Sequence, residues 1–160
     1  MNDRLKTIVD LEKYPIQDLN SPKIKEIINK CKNELDQFSC STIPNFILPK
    51  SLKTMNVELE KQVDKVYMSK ESINPYLHSK DESLLEKDHP KKIFSKRYNG
   101  YLNSDLFDKN SEMKFLYEQQ ELLNFVSACV GISPIYRWAD PLACHAYNVM
   151  KPEGILPWHF

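Results

Sequence analysis

The sequence predicts an α+β chain with its helices first and its strands last. Three observations carry this. Apolar residues recur at helical spacing in three separate stretches ahead of residue 132. The β-prone runs with a turn between them are confined to residues 134–160. The only three glycines, Gly100, Gly131 and Gly154, fall between the elements so drawn, as turn or cap residues. The division is therefore a mainly helical region over 1–133 and the first strands of a sheet over 134–160.

Residues 1–20 show little periodicity, and Ile8-Val9 and Tyr14-Pro15-Ile16 suggest a short strand or edge segment. The first clear helix opens with Ser21 as N-cap and Pro22 in the first helical position. Ile24, Ile27, Ile28, Cys31, Leu35 and Phe38 then share one face. After a connector holding Pro44 and Pro49, a second helix is expected from Ser51 to Ser69. Its apolar face is Leu52, Met55, Leu59, Val63 and Val66, and its solvated face carries Glu58, Lys61, Asp64 and Lys65.

Residues 70–110 are the least regular. The runs Lys80-Asp81-Glu82-Ser83 and Glu86 to Lys92 are highly charged, a pattern that suits a lid or substrate loop or a solvated excursion. A third helix begins after Ser111, follows Met113, Leu116, Tyr117, Gln120, Leu123, Val126 and Val130, and stops at Gly131. Ile135 to Trp138 and His145 to Met150 are β-prone. Lys151-Pro152-Glu153-Gly154 is a turn, and Ile155 to Phe160 is expected to pair with the preceding strand as a hairpin.

Composition excludes several functions. The 22 Lys+Arg residues balance the 22 Asp+Glu, so no basic field holds a nucleic-acid backbone. No stretch is apolar over the roughly 18 residues that a membrane helix needs, and the N-terminus lacks a signal-peptide core. Three glycines rule out a Gly-rich phosphate loop. The four cysteines show neither Cys-x-x-Cys pairs nor scaffold spacing. Cys31 and Cys129 sit on apolar helical faces, so free buried thiols and a cytoplasmic location are expected.

The residues with chemistry gather near the end of the chain. In an alternating strand, His159 points away from Trp158 and Phe160. A neutral imidazole suits iron(II), which oxygenases hold with two histidines and one carboxylate. His145 either reaches across the hairpin or packs within its strand. Cys144 beside it is set aside as a nucleophile pair, because neighbours in a strand face opposite ways. His78 and His89 lie in the charged region, His89-Pro90 as a surface turn, and no His-x-x-x-His spacing supports zinc.

The run from His145 to Phe160, with Tyr147-Asn148, the Pro-Glu-Gly turn and Leu-Pro-Trp-His-Phe, resembles the first metal strand of iron(II)/2-oxoglutarate-dependent dioxygenases. The similarity is to the group of free amino-acid hydroxylases and radical halogenases. It implies a helical layer packed on the opening strands of a double-stranded β-helix, or jelly roll, with the barrel incomplete in this chain. It implies His159 as the first ligand of a His-x-Asp motif, or His-x-Gly in halogenases, with Phe160 at x. The carboxylate position would be residue 161, so the expectation is an N-terminal fragment with no complete catalytic set, weak iron binding by itself, and hydroxylation of a small polar molecule by the complete form.

The resemblance also implies Arg97 as an anchor for a substrate carboxylate, against a solvated arginine among lysines. Asp140, with Arg137, either lines a substrate pocket or forms a surface pair. Tyr147 and Asn148 approach the 2-oxoglutarate end, with core packing the alternative for Tyr147. Halogenation is the alternative within the family, and a non-catalytic remnant or binding module the alternative outside it. The unpaired C-terminal strand predicts self-association.

Overall fold

The computed structural model describes residues 3–80 and 84–160. It is α+β: helices α1 (Leu5–Ile8), α2 (Pro22–Phe38), α3 (Pro49–Glu60), α4 (Glu112–Tyr117) and α5 (Gln120–Val130), with strands β1 (Tyr67–Ile73), β2 (Ser95–Asn103) and β3 (Ala146–Val149) in one antiparallel sheet of order β1-β2-β3. The chain forms two compact units. The helical unit is Met1–Lys61 with Ser104–His145, and the sheet unit is Gln62–Asn103 with Ala146–Phe160. Asp81-Glu82-Ser83 of the first charged run lies outside the described residues. No helix among the described residues is long and apolar enough to cross a membrane.

In the helical unit, α2 has the expected bounds. Pro22 takes the first position, Ile24, Ile28 and Cys31 are buried, and Ser39 closes the helix in the left-handed region at φ 55° with its N–H on the Leu35 carbonyl. Phe38, expected on the buried face, is exposed. The N-terminal segment is a single helical turn, α1, rather than an edge strand, followed by a bridge from Val9 to Ile47. Four residues are too few to show a period.

The second helix is shorter than expected. It ends at Glu60, passes through a 3-10 turn at Val63–Lys65, and turns extended at Val66. Its buried positions are Ser51 and Met55, four apart, while Leu52 and Val63 are exposed. The β-branched Val63 and Val66 and the aromatic Tyr67 favour leaving the helix.

The third helix is two helices, α4 and α5, broken at Glu118–Gln119. The break has a packing reason. Leu116 and Phe125 are both buried in the core, yet nine residues at about 100° each would set them roughly half a turn apart on one continuous helix. The broken axis lets both reach the same interior, with Cys129 buried and Val126 and Val130 exposed, contrary to the expected stripe. Ser111 caps α4 as expected, accepting from the Lys114 N–H. Its hydroxyl also donates to Glu58 Oε2 at 2.7 Å, and Glu58 Oε1 accepts from the Glu112 N–H at 3.3 Å. Glu58, expected on a solvated face, thus places a carboxylate at a helix N-terminus. Cys31 on α2 and Cys129 on α5 are free and buried in one apolar cluster. Burial, then the neighbouring Cys31, pushes the Cys129 thiol up to about 12.

The sheet unit corrects the sequence reading most. The region expected to be irregular contains all of β2, the central strand, and the second half of β1, whose first residues fall in the stretch expected to be helical. β1 and β2 pair from Tyr67↔Tyr101 to Ile73↔Ser95. β3 pairs with β2 from Gly100↔Val149 to Asn103↔Ala146. Gly100 is therefore inside a strand, not between elements. A Cβ there would collide with Val66 Cγ1 and lie 2.5 Å from Met68 Sδ. The connection between β1 and β2 is pinned by the buried Asn74. Its Oδ1 accepts from the Tyr76 and His78 N–H groups, and its Nδ2 donates to the Lys91 carbonyl at 2.8 Å.

The expected hairpin is absent. The Lys151–Gly154 turn forms, with the Gly154 N–H on the Lys151 carbonyl at 2.8 Å, but the chain does not reverse. Ile155 instead bridges Tyr98, at 2.7 and 2.8 Å, on the edge of β2 that β3 already occupies. Residues 150–154 are an excursion opposite Asn99, after which the chain rejoins the same line. Residues 156–160 form no strand. Pro157 has no N–H to donate, and the Phe160 N–H bonds the Pro75 carbonyl at 2.9 Å. Ile135–Trp138 is not a strand either. Arg137 Nε donates to the Tyr117 carbonyl at 3.1 Å, and the Trp138 N–H to Tyr117 Oη at 2.9 Å.

Candidate functional site

His159 lies in the extended run after the excursion, with its side chain exposed. Its Nδ1 is 2.8 Å from the Pro157 carbonyl oxygen. A carbonyl only accepts, so Nδ1 is the donor in this contact, and in the neutral ring Nε2 then carries the lone pair. That is the tautomer of a histidine ligated through Nε2, oriented by a backbone carbonyl as such ligands commonly are. Among the described residues, no group of three or more His, Cys, Asp or Glu side chains converges as a metal site.

Arg97 is not the solvated arginine of the alternative reading. It sits on β2 with 15% of its side chain exposed, and NH1 is 3.5 Å from Glu71 Oε1, its register partner on β1. Nε donates to Asn99 Oδ1 at 2.8 Å, and the guanidinium lies 5.2 Å from the centre of the Tyr101 ring. Glu71 also accepts from Ser69 Oγ at 2.8 Å. Strand alternation explains the cluster: residues 97, 99 and 101 share one face, opposite Glu71, Ser69 and Tyr67.

Sequence reasoning missed Asn99 and Glu71. Asn99 is fully buried, and because its Oδ1 is held by Arg97 its Nδ2 is turned away, without an acceptor. The signal was the alternation Arg97-x-Asn99-x-Tyr101, invisible until this segment is read as a strand. A groove of about 530 Å³ runs past Lys70, Glu71, Lys96, Arg97, Tyr98 and Glu153. Arg97 already pairs with a carboxylate of its own chain, so a ligand carboxylate would share the guanidinium with Glu71 or displace it.

Tyr147 and Asn148 are neighbours on β3 and point to opposite faces. Asn148 is in register with Tyr101 and so belongs to the Arg97 face, whereas Tyr147, in register with Leu102, belongs to the other. Asp140 is in the helical unit, where its Oδ1 accepts from the Leu142 N–H at 2.8 Å. The guanidinium of Arg137 is directed to Tyr117 and Gln120 rather than to Asp140.

Cys144 and His145 do meet. They belong to a turn ahead of β3, not to the strand, and Sγ is 3.5 Å from Nδ1. The His145 ring lies against Tyr117 and Phe107, with centroids 5.7 and 6.3 Å away. Burial, and then the charge of Lys114, holds the imidazole pKa below its usual value, with Glu118 opposing.

No family model, curated protein or solved structure matches the chain.

Proposed function

We propose that these residues form the N-terminal portion of a non-haem iron(II)/2-oxoglutarate-dependent oxygenase that hydroxylates a small polar molecule such as a free amino acid. The observation that carries the reading is His159: an exposed imidazole, oriented through Nδ1 by the Pro157 carbonyl, within a Leu-Pro-Trp-His-Phe run that resembles the opening of the family's metal motif. On this reading the sheet is the start of a jelly roll, and Arg97, on the face it shares with Asn148, anchors a ligand carboxylate.

The residues present do not fit a complete iron site. The triad such enzymes use needs a second histidine and a carboxylate, and the described residues bring neither to His159. When bound by a full triad, iron and 2-oxoglutarate supply the oxygen chemistry. The part of this chain is to offer one ligand and to position a substrate. The exposed side chains of Ile155, Leu156, Trp158 and Phe160 are where further strands, or a second copy, would pack. The free buried thiols Cys31 and Cys129 suit a reducing compartment, which supports a cytoplasmic location.

The test is to read the coding DNA past codon 160. Aspartate next, followed by alternating strands and a second histidine, is the expected result, and glycine next would assign the halogenase branch instead. A stop codon, with no neighbouring reading frame supplying the remainder, sinks the proposal. Anaerobic iron(II) titration of the 160-residue chain should show no tight, His159-dependent binding, since one imidazole is a weak hold.

A further inference from the structure

We propose that a groove in the helical unit binds a small carboxylate carrying an apolar chain, independently of the oxygenase reading. The groove encloses about 380 Å³, within the range of small-molecule sites. One wall is α2, where Lys23, Ile27, Lys30 and Cys31 recur at helical spacing and so share a face. The other wall is built from residues 12–14 and 42–44. The Tyr14 hydroxyl joins these two segments by donating to the Pro44 carbonyl at 2.5 Å. Cys31 belongs to the buried apolar cluster, and Ile27 and Ile43 pack against it, so the groove opens onto hydrocarbon.

Charge decides what kind of ligand fits. Three ammonium groups lie along the second wall. Lys13 Nζ donates to the Pro44 carbonyl at 3.3 Å, Lys23 Nζ to the Glu12 carbonyl at 2.6 Å, and Lys30 Nζ to the Thr42 carbonyl at 3.2 Å. The two lysines of α2 thus reach across the groove. A backbone carbonyl occupies one of the three donors of an ammonium and cancels none of its charge, so donors remain for a ligand. Lys30 also pairs with Glu34 at 3.2 Å, but neither Lys13 nor Lys23 pairs with a carboxylate among the described residues. Glu26 is the single carboxylate in the lining, against three cations. A carboxylate head matches the uncompensated ammoniums, and a hydrocarbon body matches Ile27, Ile43 and Cys31. An uncharged apolar molecule would leave the cations unmatched, and a cation would be repelled by them. The carbonyl contacts already hold the lysine chains in place, which lowers the cost of ordering them when the ligand binds.

Octanoate is the probe, titrated into the reduced chain and followed by calorimetry and by amide NMR shifts. It should bind at one equivalent. Octylamine, with the same chain and the opposite charge, should bind at least about tenfold more weakly, since it meets unpaired ammoniums. The double variant K13Q/K23Q should weaken octanoate by about tenfold, the scale of two exposed ion pairs lost together. Raising the salt concentration to about 0.5 M should weaken it in the same direction. I43A should weaken it by removing part of the apolar wall. W158A should leave it unchanged, which separates the groove from the exposed apolar run at 155–160. The shifted amides should centre on residues 26–31 and 42–44, a readout that needs no variant. Circular dichroism confirms that each variant is folded. No binding at millimolar octanoate, equal affinity for octylamine, undiminished binding in K13Q/K23Q, or shifts centred on 155–160 would each overturn the proposal.

Discussion

The helical unit and the sheet unit are held together by different means. In the first, Leu5, Ile8, Ile16, Ile24, Met55 and Phe125 are all but fully buried in one shared cluster. In the second, the fully buried apolar side chains are Ile73 and Leu102, and they are matched by two buried amides, Asn74 and Asn99. The helical unit thus rests on apolar area removed from water, and the sheet unit rests more on strand pairing and on placed polar contacts. Their outer surfaces do not differ in this way: Ile155 to Phe160 carries four exposed large apolar side chains, and Ile132, Tyr136, Trp138 and Leu142 of the helical unit are exposed as well.

The strongest way to break the comparison is at Phe125. Its side chain is buried and its ring stacks on Phe46 with centroids 6.1 Å apart. F125A should cost about 3–5 kcal/mol, read by urea denaturation, because it removes a large buried group and leaves a cavity. That is a large share of the roughly 5–15 kcal/mol typical of a folded domain. The counterpart in the sheet is Gly100, where an added Cβ meets Met68 of β1 and Val66 just ahead of it. G100A should cost about 1–3 kcal/mol by overpacking, with faster amide exchange concentrated in β1 and β2. A larger loss from G100A than from F125A would reverse the comparison and make the sheet the more demanding half.

The same contrast explains what the sequence made legible. The register of α2 could be read from Ile24, Ile28 and Cys31, because burial against one interior imposes a single period. The break between α4 and α5 could not, since only the half-turn mismatch of Leu116 and Phe125 reveals it, and that needs a known core. In β2, the segment Ser95 to Asn103 shows no apolar–polar alternation, Leu102 being its one aliphatic residue, and it carries Gly100 in its interior, so its pattern does not announce a strand. The turn at 151–154 was legible, but whether it reverses the chain is decided by a partner, Tyr98, more than fifty residues away in sequence.

Legibility of the candidate site follows the same rule. His159 could be named because its signal is local, a short run of residue types. Arg97 could be named but not its setting, because Glu71 and Asn99 join it only through strand register. Cys144 and His145 were separated by assuming a strand where the chain turns. A one-residue change in local structure decides whether two neighbouring side chains meet.

The smallest expected effect lies at His145, and it sharpens the comparison from the helical side. Burial holds its folded-state pKa below the value of about 6.5 that it has in the unfolded chain. Above that pH both states carry a neutral ring and the residue adds no pH dependence. As pH falls through 6.5, the unfolded chain takes up the proton first, so stability declines until the folded-state pKa is passed, and then levels off. The Tm of the unaltered chain should therefore drop between pH 7.5 and pH 5.0 by more than that of H145Q, by no more than a few degrees. The effect is modest because the ring is only partly buried and Glu118 offsets some of the penalty. Equal drops in the two proteins would show that the ring is solvated in the folded state, and that the wall of Tyr117 and Phe107 does not exclude water from it. A larger drop in H145Q would mean that the charged ring is the stabilised form, which would reverse the sign assigned to its burial.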